Sequence, residues 1–74
     1  MASILIVDDE DAIAEAYAAF FSRSGHDVLR AQDGASAIDL YQAHHPDVVL
    51  LDLRLPDLSG FDVYERIRDD EPVV

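Results

Sequence analysis

Two kinds of hydrophobic pattern alternate along this chain. Ser3–Val7 (SILIV) and Val48–Leu53 (VVLLDL) are short apolar runs, the second interrupted only by Asp52. Runs of this length without polar alternation suit strands buried on both faces, as in a parallel sheet. From Asp11 to Arg23 the spacing becomes helical: Ile13, Ala16, Tyr17 and Phe20 fall at i, i+3, i+4 and i+7 and form one apolar stripe. Acids at positions 8 to 11 favour the positive end of that helix, and Ser24-Gly25 supplies its stop. His26–Ala31 (HDVLRA) reads as a short second strand. Asp33-Gly34 is a hairpin-type dipeptide, but the residues after it do not alternate. Ala37, Leu40, Tyr41 and His44 have helical spacing instead, which predicts a second helix over Ala35–His44, stopped by Pro46.

The third apolar run leads into LPDLSG, a loop rich in turn residues. Ser59 with Asp62 three positions on forms a capping box, which predicts a third helix from Phe61 to Asp69 with Val63, Tyr64 and Ile67 facing inward. Pro72-Val73-Val74 reads as the opening of a further strand. The order β-α-β-α-β-α implies an α/β fold with a parallel sheet and right-handed crossovers. In such sheets ligands bind beyond the carboxyl ends of the strands, where strand order reverses. Asp8 and Asp9 follow the first strand and Asp52 closes the third, so neighbouring strands one and three bring all three carboxylates to one edge.

Composition narrows the chemistry. Sixteen acidic residues against five basic ones give a net charge of −11 over 74 residues. Nucleic acid and anionic membrane need a positive footprint, so both are poor partners; divalent cations or a basic protein surface fit better. All basic residues are arginines (Arg23, Arg30, Arg54, Arg66, Arg68), and Cys, Lys, Thr and Asn are absent. With no cysteine there is no disulfide framework and no thiol chemistry. The apolar stretch before the first acids is too short for a signal peptide or a membrane span, which makes a soluble cytoplasmic protein the expectation. The chain is one domain at most, and a domain of this size buries only about 60% of its unfolded surface.

Three converging carboxylates repel one another and raise each other's pKa unless a cation compensates. An all-oxygen donor set favours a hard cation such as magnesium. The DDEDAIAE stretch is no EF-hand, because the glycine midway through a calcium loop is missing. Taken alone, Asp8 and Asp9 read as acids at a helix N-terminus; with Asp52 ending a buried run, the site reading becomes the better one. His44-His45 read as cations at a helix C-terminus, and Asp57 as a turn acid.

ILIVDDE and LLDLRLPDLSG resemble the signature segments of response-regulator receiver domains of two-component signalling, over essentially the whole chain. The specific elements are the paired acids and the Asp-x-x-x-Pro-x-x-x-Gly segment from Asp52 through Pro56 to Gly60. The resemblance implies a flavodoxin-like parallel sheet with strand order 2-1-3. It makes Asp52 the phosphoacceptor for a phosphohistidine of a histidine kinase or phosphotransfer protein, rather than a catalyst acting on a diffusible substrate. It also implies Mg2+ held by Asp9, Asp52 and the backbone carbonyl of Arg54, with Asp8 acting through water. The Arg54 side chain lies at the rim, either approaching the phosphoryl group or in solvent. An aspartate-nucleophile phosphatase starts from a similar strand-end aspartate, but it wants a second acid where Arg54 stands.

The chain departs from the family in extent. Receiver domains have five strand-helix units, and residues 1–74 hold the first three. The family's Ser or Thr ending strand four and Lys ending strand five have no counterpart here. Strand three, central in the family, becomes an edge of the kind that invites pairing, and the first helix loses the neighbour that would cover part of its Phe20 stripe. The expectation is the N-terminal part of a single receiver domain, truncated before strand four, completed by a missing C-terminal half or by another copy of the chain. The alternative function is an interaction module that is never phosphorylated.

Overall fold

The computed structural model describes residues 2–52, 54–57 and 60–67. Its elements follow in the order β1 (Ser3–Val7), α1 (Asp11–Arg23), β2 (Asp27–Ala31), α2 (Gly34–His44), β3 (Val48–Leu51) and α3 (Gly60–Ile67). The three strands are parallel in the order β2-β1-β3, the expected 2-1-3 arrangement of a truncated flavodoxin-like sheet. Strand β1 is central, with Leu5 opposite Leu29 on one side and Val49 on the other.

Alternation along the strands divides the core into two layers. Leu5, Val7 and Val49 face α2 and α3, where they pack with Ala37, Ile38, Tyr41, Val63 and Ile67. Ile4 and Ile6 face the other way, onto Ala14 of α1, with Val28, Val48, Leu50 and Phe21 closing around them. The apolar runs lack polar alternation because both faces of the sheet carry helices.

Three expectations are corrected. The inward face of α1 is Ala14, Ala18 and Phe21, one position out of phase with the expected stripe: Ile13 is 40%, Tyr17 49% and Phe20 63% exposed. The alanines let the helix backbone approach the sheet closely, and the larger side chains stay on the flank. The inward face of α3 is Gly60, Val63 and Ile67, while Tyr64 is exposed. Strand β2 begins at Asp27, because the His26 amide closes the α1 turn on the Phe21 carbonyl and its ring accepts from the Ala2 amide through Nδ1. The Ser59 cap, the end of the third helix at Asp69 and the Pro72–Val74 strand lie outside the described residues.

The sheet's amino edge is pinned by side chains. Asp47 Oδ2 accepts from the Ser3 amide at 2.8 Å, and the Asp47 amide donates to the Ser3 carbonyl at 2.8 Å. Helix α2 starts on Asp33, whose carboxylate accepts from the Ser36 amide at 2.7 Å, and it ends on His45 in the left-handed region at φ 47°. Among the described residues no helix is long and apolar enough to cross a membrane.

Candidate functional site

The site is built by strand register. Val7 pairs with Leu51, so Asp8 and Asp52 are the next residues beyond two adjacent strands. The ladder continues past both ends: the Asp52 amide donates to the Val7 carbonyl at 2.9 Å, and the Asp8 amide to the Ala31 carbonyl at 3.1 Å. Alternation continues as well, so Ile4, Ile6 and Asp8 share a face, as do Val48, Leu50 and Asp52. Asp8 and Asp52 accordingly line one cleft of about 480 Å³, with Ile6, Leu50, Ile13 and Tyr17 among its walls.

Each of the two carboxylates is oriented by its own turn. Asp8 Oδ1 accepts from the Glu10 amide at 2.9 Å, and Asp52 Oδ1 from the Arg54 amide at 3.0 Å. Asp9 completes the cluster: one oxygen from each of Asp8, Asp9 and Asp52 lies within 4.8 Å of the others. Asp8 and Asp52 are half-buried and Asp9 is exposed. The cluster that the sequence predicts is therefore brought together.

Among the described residues no cation pairs with these three acids. Arg30 reaches Asp11 instead, at 3.6 Å, and Gln32 Nε2 donates to the same Asp11 carboxylate at 2.6 Å. Three uncompensated carboxylates at this separation, with oxygen donors only, fit a hard divalent cation and offer nothing to a soft one. The Arg54 backbone is held by its bond to Asp52, and the residue is exposed. His44 closes the last turn of α2 at the opposite edge of the sheet, and His45 caps that helix through its amide on the Tyr41 carbonyl at 2.8 Å; neither approaches the acids.

Sequence reasoning missed the role of Asp57. Its Oδ1 accepts from the Gly34 amide at 2.7 Å and its Oδ2 from the Ala35 amide at 3.0 Å, so the loop after Asp52 is clamped onto the start of α2. The only signal in the sequence is that α2 opens with more amides than Asp33 alone can satisfy.

The response regulator receiver domain model matches residues 4–74. The polar-differentiation response regulator DivK of Brucella ovis is 36% identical over 69 residues, covering 93% of this chain and 56% of DivK. The probable transcriptional regulatory protein TcrX of Mycobacterium tuberculosis is 41% identical over 70 residues, covering 95% of this chain and 30% of TcrX. The chain thus spans about half the length of DivK and less of TcrX. Among solved structures, response regulator TrrA of Thermotoga maritima, in complex with Mg(2+)-BeF, superposes with a TM-score of 0.92 at 32% identity, covering 99% of this chain and 66% of that one. The N-terminal domain of a response regulator receiver protein from Methanoculleus marisnigri gives 0.91 at 32% identity, covering 99% and 63%. Strand order, the strand-end acids and these likenesses agree, and the chain belongs to the response regulator receiver domain family.

Proposed function

We propose that Asp52 accepts a phosphoryl group from a phosphohistidine of a histidine kinase or phosphotransfer protein in the cytoplasm. A carboxylate oxygen of Asp52 attacks phosphorus as the nitrogen–phosphorus bond breaks. The bonding pair leaves with the imidazole, which takes up a proton, and an acyl phosphate remains on Asp52. The chain acts here as a phosphoacceptor protein and not as an enzyme turning over a diffusible substrate. Asp9, Asp52 and the Arg54 backbone carbonyl would hold Mg2+, with Asp8 reaching it through water. Bound there, the cation offsets the negative charge on the phosphoryl group in transit. Asp52 is oriented for its part by the Arg54 amide and by the sheet bond to Val7.

The observation that carries this reading is the convergence of three carboxylates from two adjacent strand ends within 4.8 Å, with no cation paired to them among the described residues. The Mg(2+)-BeF complex of TrrA, a neighbour at 32% identity, supports it. Residues 1–74 would supply the first three strand-helix units of a receiver domain, the rest coming from further chain or from another copy. The test is intact mass after incubation with Mg2+ and acetyl phosphate. One phosphoryl group is expected on the parent chain and none on Asp52→Asn; equal labelling of both sinks the assignment.

A second reading, an interaction module that is never phosphorylated, is favoured by two features. Strand β3 lies at a sheet edge, and Tyr17 and Phe20 of α1 are large apolar side chains left exposed. It requires an oligomeric state that changes with concentration and is indifferent to Asp52→Asn, which size-exclusion chromatography measures.

A further inference from the structure

We infer that Asp57 is a positioning residue for the metal site: its carboxylate, clamped on the first two amides of α2, fixes the loop that presents the Arg54 carbonyl. The inference rests on the metal reading above and concerns a residue that makes no contact with the metal.

The start of α2 has four amides to satisfy. Of these, the Asp33 amide lies ahead of the helix and the Ser36 amide is taken by the Asp33 carboxylate, while the Ala37 amide already makes the first helical bond, to the Asp33 carbonyl. Gly34 and Ala35 remain, and Asp57 takes both, one with each oxygen. Gly34 is buried, so water is a poor substitute there, and a carboxylate at a helix N-terminus forms charge-assisted bonds along the helix dipole. The clamp is strong because both partners need it.

Its other consequence falls on the loop. Residues 52 and 54–57 are tied at the front by the Asp52 amide on Val7 and by Asp52 Oδ1 on the Arg54 amide. They are tied at the back by Asp57. Between the ties, Leu55 packs against the core layer of α2 and α3, and Pro56 has a fixed φ. The Arg54 carbonyl therefore lies between two anchors, one on the central strand and one on a helix held in the core by Ala37, Ile38 and Tyr41. Gln32, just before α2, also bonds Asp11 at the start of α1. Asp57 thereby closes a hydrogen-bonded belt joining the three loops around the acids.

A cap that served only α2 would change stability and leave metal affinity alone. Asp33→Ala is the matched control, since it removes a cap bond from the same helix end without touching the loop. Mg2+ affinity is measured by calorimetric titration, and thermal unfolding is followed without metal, for the full chain and for Asp57→Ala, Asp57→Asn and Asp33→Ala. Loss of an outer partner of a metal ligand weakens binding roughly 10- to 100-fold, and that is expected of Asp57→Ala. Asp57→Asn keeps one acceptor, serves if the alanine variant unfolds, and should lie between. Asp33→Ala should bind Mg2+ like the parent while melting lower. Parental affinity in both Asp57 variants, or an equal loss in Asp33→Ala, overturns the inference and leaves the metal reading standing. A parent chain that binds no Mg2+ overturns both, and that failure is visible before any variant is made.

Discussion

The Asp52 amide donates to the Val7 carbonyl at 2.9 Å, so the proposed acceptor is still on the sheet ladder although its side chain has left the core. Val7 is 1% exposed on the central strand, among the groups with least freedom to move. Backbone hydrogen bonding therefore places the Asp52 carboxylate beside Asp8, and packing of the side chain is not required. This resolves an apparent conflict in the sequence, an acid at the end of a buried run. The run ends at Leu51, and the acid begins where the strand opens onto the cleft.

Asp52→Asn should leave the fold intact, because the ladder bond belongs to the backbone and an amide oxygen can still accept from Arg54. Without metal the variant should be more stable than the parent. Two like charges at the 4.8 Å scale of this cluster repel by about 1 kcal/mol at a water-like dielectric. With metal the order should reverse. A ligand at a hundred times its dissociation constant stabilises by roughly 2.7 kcal/mol, and only the parent should show that gain. Thermal melts with and without Mg2+ read both signs, and an Asp52→Asn melt that rises with Mg2+ as the parent's does counts against the proposed ligand set.

Phe20 and Phe21 are neighbours in sequence with opposite surroundings. Phe20 is 63% exposed, whereas Phe21 is half-buried against the layer formed by Ile4, Ile6 and Ala14. Phe21→Ala should cost roughly 2–4 kcal/mol, toward the lower part of the range for core aromatics because the site is partly open. Phe20→Ala should cost well under about 1 kcal/mol, chiefly its edge contact with Phe21. Urea midpoints of the two variants decide it, and equal losses would mean that the buried face of α1 is not the one seen here.

Leu5 is fully buried at the centre of the sheet, paired to Leu29 and Val49. Leu5→Ala should cost about 2–5 kcal/mol, a large share of what a domain near the lower size limit holds. The expected outcome is a chain largely unfolded near 37 °C by circular dichroism. A cooperative melt close to the parent's would contradict the packing.

The sheet and the acid cluster were legible in the sequence because both depend on short-range pattern. Unbroken apolar runs give strands covered on both faces, and an acid directly after such a run falls at the sheet edge. The phase of α1 was not legible. Alanine stands at positions 12, 14, 16, 18 and 19, so several faces of that helix are apolar and the larger residues draw attention to the wrong one. Tyr64 was misplaced for a related reason: it is apolar by composition, but Gly60 on the same helix allows the closer approach to the core. The Asp57 clamp was invisible because it joins residues 23 apart, and no local pattern says which helix end a loop acid will meet.

His45 is the one described residue other than glycine with positive φ, at 47°. The left-handed region costs an L residue roughly 1–2 kcal/mol, and the helix end is held there because the His45 amide closes on the Tyr41 carbonyl and Pro46 follows, buried. His45→Gly removes that cost and keeps the amide. It also frees the unfolded chain by about 0.4–1 kcal/mol and gives up the edge contact with Tyr41 at 5.8 Å between ring centres. The balance favours glycine by a few tenths of a kcal/mol to about 1 kcal/mol, a rise of several degrees in Tm for a domain of this size. A melt of His45→Gly checks it, with Gly25→Ala as the converse case. Gly25 has φ 86° with nothing within 4 Å of an added Cβ, so the alanine there should lower Tm through backbone strain alone. If His45→Gly melts lower than the parent, the Tyr41 contact outweighs the strain and the histidine is retained for packing.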